Sequence, residues 1–141
     1  MLNPDSVFVV PRFENGDTML VRQWRHAWDQ SSWEVPAGTF NEGEEPLQCA
    51  HRELAEETGL RARRMVSLGT VRGAAILAGR AHLYLAEDLT EAERSPETYE
   101  QDMEVRRLPF SDAVEAALGG AIVHATSVTA LMRAARSLKV F

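Results

Sequence analysis

The chain has 141 residues, 45% of them hydrophobic, with a formal net charge of −6 and a pI near 5.2. That length supports one ordinary core, and no linker, repeat or low-complexity tract divides it, so a single domain over 1–141 is expected. The acidic balance argues against partners held through a polyanionic surface, so neither nucleic acid nor membrane is expected as one.

In chain order, Ser6–Val10 and Thr18–Gln23 read as strands around an Asn15-Gly16-Asp17 turn, which predicts a hairpin. Trp33–Val35 reads as a short strand ending at Pro36-Ala37-Gly38. A loop carrying Asn41, Gly43 and several glutamates leads to a helix. Pro46 suits its first turn and Gly59 the left-handed residue beyond its end, which sets a length of about 13 residues. Met65–Val71 and Ala81–Ala86 read as strands, with Gly73 and Gly79 bounding their connection. Residues 87–102 are acidic and read as a long exposed loop, and Glu104–Leu108 as a further strand. Ser111 is the expected cap of a helix running to Leu118 and stopped by Gly119-Gly120, and Ser127–Leu138 reads as the last helix.

At 100° per residue, Glu53, Glu56 and Glu57 fall within one arc of the 46–58 helix, and Leu47, Ala50 and Leu54 fall together on another. The apolar face is expected to dock on a core while the carboxylates face a cleft. Glu53 and Glu57 repel at i,i+4, and only Arg52, spaced four residues from Glu56, offers a nearby cation. Three clustered carboxylates and one arginine point to divalent cations as the missing countercharge, and hard oxygens suit Mg²⁺ or Mn²⁺.

Cys49 is the only cysteine, so no intrachain disulfide can form, which fits a reducing compartment. It lacks a histidine partner on its helix face and reads as a packing residue. His26, His51, His82 and His124 have no metal-ligand spacing and read as structural or exposed. The N-terminus carries no basic region followed by an apolar segment, and no apolar run approaches spanning length, so a soluble cytoplasmic protein is expected.

Residues 38–60 read GTFNEGEEPLQCAHRELAEETGL. Gly38, Glu44, Arg52-Glu53-Leu54, Glu56-Glu57 and Gly59-Leu60 stand in the order and spacing of the Nudix box, and the chain resembles the Nudix hydrolases. The resemblance implies an α/β/α sandwich with a mixed β-sheet and the box in a loop-helix-loop. It implies hydrolysis of a pyrophosphate bond in a nucleoside diphosphate linked to another group, with Mg²⁺ or Mn²⁺ as cofactor. Carried over, Glu53 and Glu57 are the leading metal ligands, with Glu56 as a ligand or a neighbour of one. The backbone carbonyl of Ala37 or Gly38 is the further ligand. Arg52 would orient Glu53, and Glu44 would hold the loop against the helix. In many relatives a glutamate beyond the box activates water, which points here to Glu100, with Glu97 as the alternative.

VRQWRHAWDQSSWEVPAGTFNEGE, HLYLAEDL and ATSVTALM are similar to the ADP-ribose pyrophosphatase branch. This implies ADP-ribose or a nucleoside diphosphate sugar as substrate. The alternatives are a nucleoside triphosphate or dinucleoside polyphosphate hydrolase, or a non-catalytic nucleotide-sensing domain. Two features depart from the branch. Its usual proline is missing from the loop Val71-Arg72-Gly73-Ala74-Ala75, and the first strand begins almost at once, where many members of the homodimeric type carry an N-terminal sheet. Within Arg22-Gln23-Trp24-Arg25, Arg25 is a candidate phosphate clamp. Trp24 and Trp28 are candidate stacking surfaces for a nucleobase, against the alternative of strand-end packing.

Overall fold

A computed structural model describes residues 4–91 and 103–140. Its strands are β1 (Ser6–Pro11), β2 (Asp17–Arg25), β3 (Gln30–Glu34), β4 (Ala37–Thr39), β5 (Leu60–Arg72), β6 (Arg80–Glu91) and β7 (Glu104–Pro109). Its helices are α1 (Pro46–Thr58), α2 (Phe110–Gly119) and α3 (Ala125–Ser137), with a 3-10 turn at His26–Trp28.

The strands form two sheets, ordered β4-β1-β6-β5 and β3-β2-β7. The first is mixed, since β1 runs parallel to β6 but antiparallel to β4, and β5 pairs antiparallel with β6. The second is antiparallel throughout. Strand periodicity explains the layering. Val7 and Val9 of β1, with Tyr84 and Ala86 of β6, pack with Ala50 and Leu54 of α1. Their neighbours Val10, Leu83 and Leu85 face the other way and pack with Leu131 and Ala134 of α3. A strand covered on both faces needs a continuous apolar run, which is why 7–10 reads Val-Phe-Val-Val. The result is the expected α/β/α sandwich.

The hairpin expectation does not hold. Asn15-Gly16-Asp17 does form a turn, with the Phe13 N–H donating to Asp17 O at 2.8 Å. The strands it joins belong to different sheets, however, so β1 and β2 do not pair. Ser111 does not cap α2 either; the helix follows β7 directly, and the Phe110 N–H donates to Gly16 O. β6 runs on to Glu91, so residues 87–91 are strand and not the start of a loop as expected.

Helix α1 has the expected bounds. Pro46 opens it and Gly59 closes it in the left-handed region at φ 73°, its N–H donating to Ala55 O at 2.9 Å. Its buried arc is Cys49, Ala50, Glu53, Leu54, Glu57 and Thr58. Leu47 lies in the first turn and is 47% exposed, so it does not join the core as the helical angle suggests. Two of the carboxylates thus share the buried arc with the apolar residues and do not stand on a separate wet face.

Candidate active site

One stretch of backbone links the two sheets and frames the site. After β3, Val35-Pro36 crosses from the second sheet to the first, held by the Val9 N–H donating to Pro36 O at 2.8 Å. It ends in β4, the edge strand beside β1, where Phe8 pairs with Ala37 and Val7 with Gly38. Helix α1 packs over this edge.

Arg52 is the hub. Its Nε and Nη2 donate to the two oxygens of Glu44 at 2.8 and 2.9 Å. Its Nη1 donates to Glu53 Oε1 at 2.6 Å and Glu56 Oε2 at 3.1 Å, and Nη2 also reaches Thr39 O at 3.0 Å. One guanidinium therefore ties the loop, β4 and two box glutamates together, which suits the planar fork of arginine and not the point charge of lysine. Glu44 also accepts from the Asn41 N–H at 3.0 Å, and the arginine holds its carboxyl down at about 2.

Glu53 and Glu57 are each 8% exposed. Burial raises the pKa of Glu53, against the pull of Arg52. Burial pushes Glu57 up to about 8, although the Ala37 N–H donates to its Oε1 at 2.8 Å. The charges of Glu53, Glu34 and Glu56 push it the same way. Desolvation favours the neutral acid, so two buried carboxylates with one arginine for the whole group are costly.

Gly38 presses against this group. A β-carbon there would lie 1.9 Å from Glu53 Cδ, an impossible overlap, so the backbone and the carboxylate share space that only glycine leaves open. The donor set of Glu53, Glu56, Glu57 and the Ala37–Gly38 backbone consists of hard oxygens, which fits Mg²⁺ or Mn²⁺. Among the described residues, no three His, Cys, Asp or Glu side chains already converge on one ion position. Arg52 engages one oxygen of Glu53 and one of Glu56, and the second oxygen of each accepts no hydrogen bond from the described residues. Glu97 and Glu100 lie outside the described residues.

Cys49 is fully buried in the α1 core, and burial pushes its thiol up to about 12, so it sits there as a packing residue.

Arg25, Trp24 and Trp28 line one cavity with His26, Ala27 and His124. The tryptophans are exposed, 58% and 44%, and are not core residues. The guanidinium of Arg25 grips the fully buried Glu34, Nε donating to Oε2 at 2.8 Å and Nη2 to Oε1. Losing Arg25 would leave the buried Glu34 carboxyl without its guanidinium donor. The bond to Glu34 raises the pKa of Arg25 against its burial, and the charge of Glu57 adds to the rise, which couples the cavity to the carboxylate site.

Glu34 carries no motif signal in the sequence, and His124, read there as structural or exposed, is structural. His124 caps α3, accepting from the Ser127 N–H, and its Nδ1 lies 4.0 Å from Glu34 Oε1. Histidine is not among the usual N-cap residues, so the sequence gives no signal for this cap.

The chain matches the Nudix domain across residues 2–131, and it belongs to the Nudix family. It is 35% identical over 133 residues to an ADP-ribose pyrophosphatase of Mycobacterium tuberculosis (strain ATCC 25618 / H37Rv), covering 90% of this chain and 63% of that protein. It is 32% identical over 115 residues to an ADP-ribose pyrophosphatase of Bacillus subtilis (strain 168), covering 80% of this chain and 62% of that one. The chain thus spans less than two thirds of the length of these two relatives. The crystal structure of an ADP compounds hydrolase superposes with a TM-score of 0.84 at 22% identity, covering 97% of this chain and 74% of that one, which establishes the shared fold.

Proposed function

We propose that this domain hydrolyses the pyrophosphate bond of a nucleoside diphosphate joined to another group, with ADP-ribose or a nucleoside diphosphate sugar as substrate and Mg²⁺ or Mn²⁺ as cofactor. The observation that carries this reading is the arrangement around Arg52, which fixes Glu53 and Glu56 beside the buried Glu57 and the glycine-lined edge of β4. The relatives named for ADP-ribose hydrolysis support the substrate class.

Glu53, Glu56 and Glu57, with a backbone carbonyl of Ala37 or Gly38, would hold the metal. When bound, the cation supplies charge neutralisation for the diphosphate and lowers the pKa of water. The chain's own residues position the reactants, which is most of what phosphoryl chemistry requires. Arg52 orients Glu53. Glu100 is the proposed proton acceptor, with Glu53 the alternative. Trp24 and Trp28 offer flat surfaces in one cavity, and Arg25, which also lines it, holds Glu34 in place.

The testing experiment is a substrate panel of ADP-ribose, sugar nucleotides, dinucleoside polyphosphates and nucleoside triphosphates, with products identified. Release of AMP and ribose 5-phosphate from ADP-ribose, dependent on Mg²⁺ or Mn²⁺, is expected. Turnover confined to triphosphates or dinucleoside polyphosphates would replace the substrate class, and tight binding without turnover would make the domain a sensor.

A further inference from the structure

His124 stands where two cavities meet. It lines the Trp24–Trp28 cavity, about 400 Å³ and within the range of small-molecule sites, and also a second one bounded by Phe8, Leu77 and Arg80. Its ring lies near two aromatics, 5.6 Å from Phe8 and 6.2 Å from Trp28 by centroids, tilted to both.

The hydrogen bonds around it fix its tautomer. The Val35 N–H donates to Ser127 Oγ at 3.0 Å, so the hydroxyl hydrogen is available for another acceptor. His124 Nδ1 lies 2.8 Å from that Oγ and also accepts from the Ser127 N–H at 3.3 Å. An Nδ1 facing two donors carries no hydrogen, so the hydrogen of the neutral ring sits on Nε2. Burial lowers the pKa of the ring below its ordinary value, opposed by the charge of Glu34 and aided by that of Arg25. No described residue accepts from Nε2. A donor with a fixed tautomer, close to Trp28 and open to the cavity that both residues line, is available to a ligand there.

We propose that His124 is a specificity-determining residue, donating from Nε2 to a neutral acceptor on the nucleoside part of a nucleotide that lies along Trp28. The acceptor is a base nitrogen or carbonyl, or a ribose hydroxyl. Ser127 is the positioning residue, acting through His124. The inference rests on the proposed nucleotide chemistry of the neighbouring carboxylate site, but concerns binding and not hydrolysis.

The test is direct binding, measured by quenching of tryptophan fluorescence with AMP, GMP, CMP, UMP and ribose 5-phosphate as probes, in chelator so that turnover plays no part. His124→Asn keeps a side-chain oxygen to cap α3 while removing the Nε2 donor, and His124→Gln restores a donor near Nε2. Nucleotide binding weaker by about tenfold in His124→Asn, partly recovered in His124→Gln, with thermal midpoints near wild type, is expected. An effect on mononucleotides but not ribose 5-phosphate assigns the acceptor to the base, and an effect on both assigns it to the sugar. Equal binding by wild type and His124→Asn overturns the proposal, as does wild-type protein that binds none of the probes. Nitrogen-15 spectra of the histidines must show the Nε2–H tautomer at His124; an Nδ1–H tautomer also overturns it, without relying on any variant. Hydrolysis assayed separately keeps the two claims apart. Binding through His124 without turnover leaves this proposal standing and removes the enzymatic one, whereas turnover with unchanged His124→Asn binding does the reverse.

Discussion

The carboxylate of Glu53 occupies the space that a β-carbon on Gly38 would need, with Cδ 1.9 Å from that position. Strand β4 and helix α1 are therefore fitted to each other at this one contact. Gly38→Ala must push β4 or Glu53 aside, and a misplacement near 1 Å in such a site costs on the order of 10²-fold in rate. A kcat/KM loss of that order, with a lowered melting midpoint, is the expected result. Near-normal kinetics in Gly38→Ala would show that Glu53 need not sit where it does.

Burial holds Glu57 up at about 8, against an ordinary value of 4.5. The sign follows from linkage: a group whose folded pKa is raised stabilises the fold below its unfolded value, and that contribution is lost as pH rises through the folded value. Without metal, the protein should thus lose stability between about pH 4.5 and 8. Glu57→Gln removes the titration and should melt a few degrees higher than wild type at pH 8 in chelator. Mg²⁺ should raise the midpoint of wild type but not of the variant. Calorimetry across this pH range checks both, and a wild-type midpoint that rises with pH in chelator would contradict the burial argument.

Cys49 is sealed in the core with its thiol pushed up to about 12. Native protein should resist thiol reagents and react fully once denatured. Cys49→Ala should keep most activity and cost on the order of 1 kcal/mol, since the cavity it leaves is small. Rapid inactivation of the native protein, absent in Cys49→Ala, would place the thiol at the surface or in the chemistry.

The proton acceptor is separable by substitution. If Glu100 takes the proton from water, Glu100→Gln should lower kcat by about 10²- to 10⁴-fold with little change in affinity, and Glu97→Gln should be mild. If Glu53, oriented by Arg52, is the acceptor, both loop variants run normally and Glu53→Gln alone is inactive at saturating metal.

How far the sequence could be read depended on where each signal lay. Helix α1 was legible to its ends, because Pro46 and Gly59 mark them by backbone chemistry that packing does not override. The Arg52–Glu53 contact was legible as well. The partition into two sheets was not, because Asn15-Gly16 signals a turn and carries no information on which strands pair across it. β5 begins at Leu60, ahead of the expected Met65, because Arg61, Arg63 and Arg64 on its exposed positions mask the strand pattern. β4 escaped notice because three residues are too short to show a period. Glu34 and His124 were hidden for a different reason: a strand glutamate gives no sign of its burial or of Arg25 across the sheet, and histidine is not a usual cap for a helix such as α3. The unexpected burial of Glu53 and Glu57 has the same origin, since a helical wheel gives the arc but not how far the neighbouring strand covers it.

The most direct measurement is turnover of ADP-ribose by wild type and Glu57→Gln, in chelator and with added Mg²⁺ or Mn²⁺, with AMP and ribose 5-phosphate quantified. The account predicts no product in chelator, full recovery of wild type with metal, and a loss of about 10²-fold or more in the variant under the same conditions. Equal turnover by Glu57→Gln and wild type, or undiminished turnover in chelator, would contradict it.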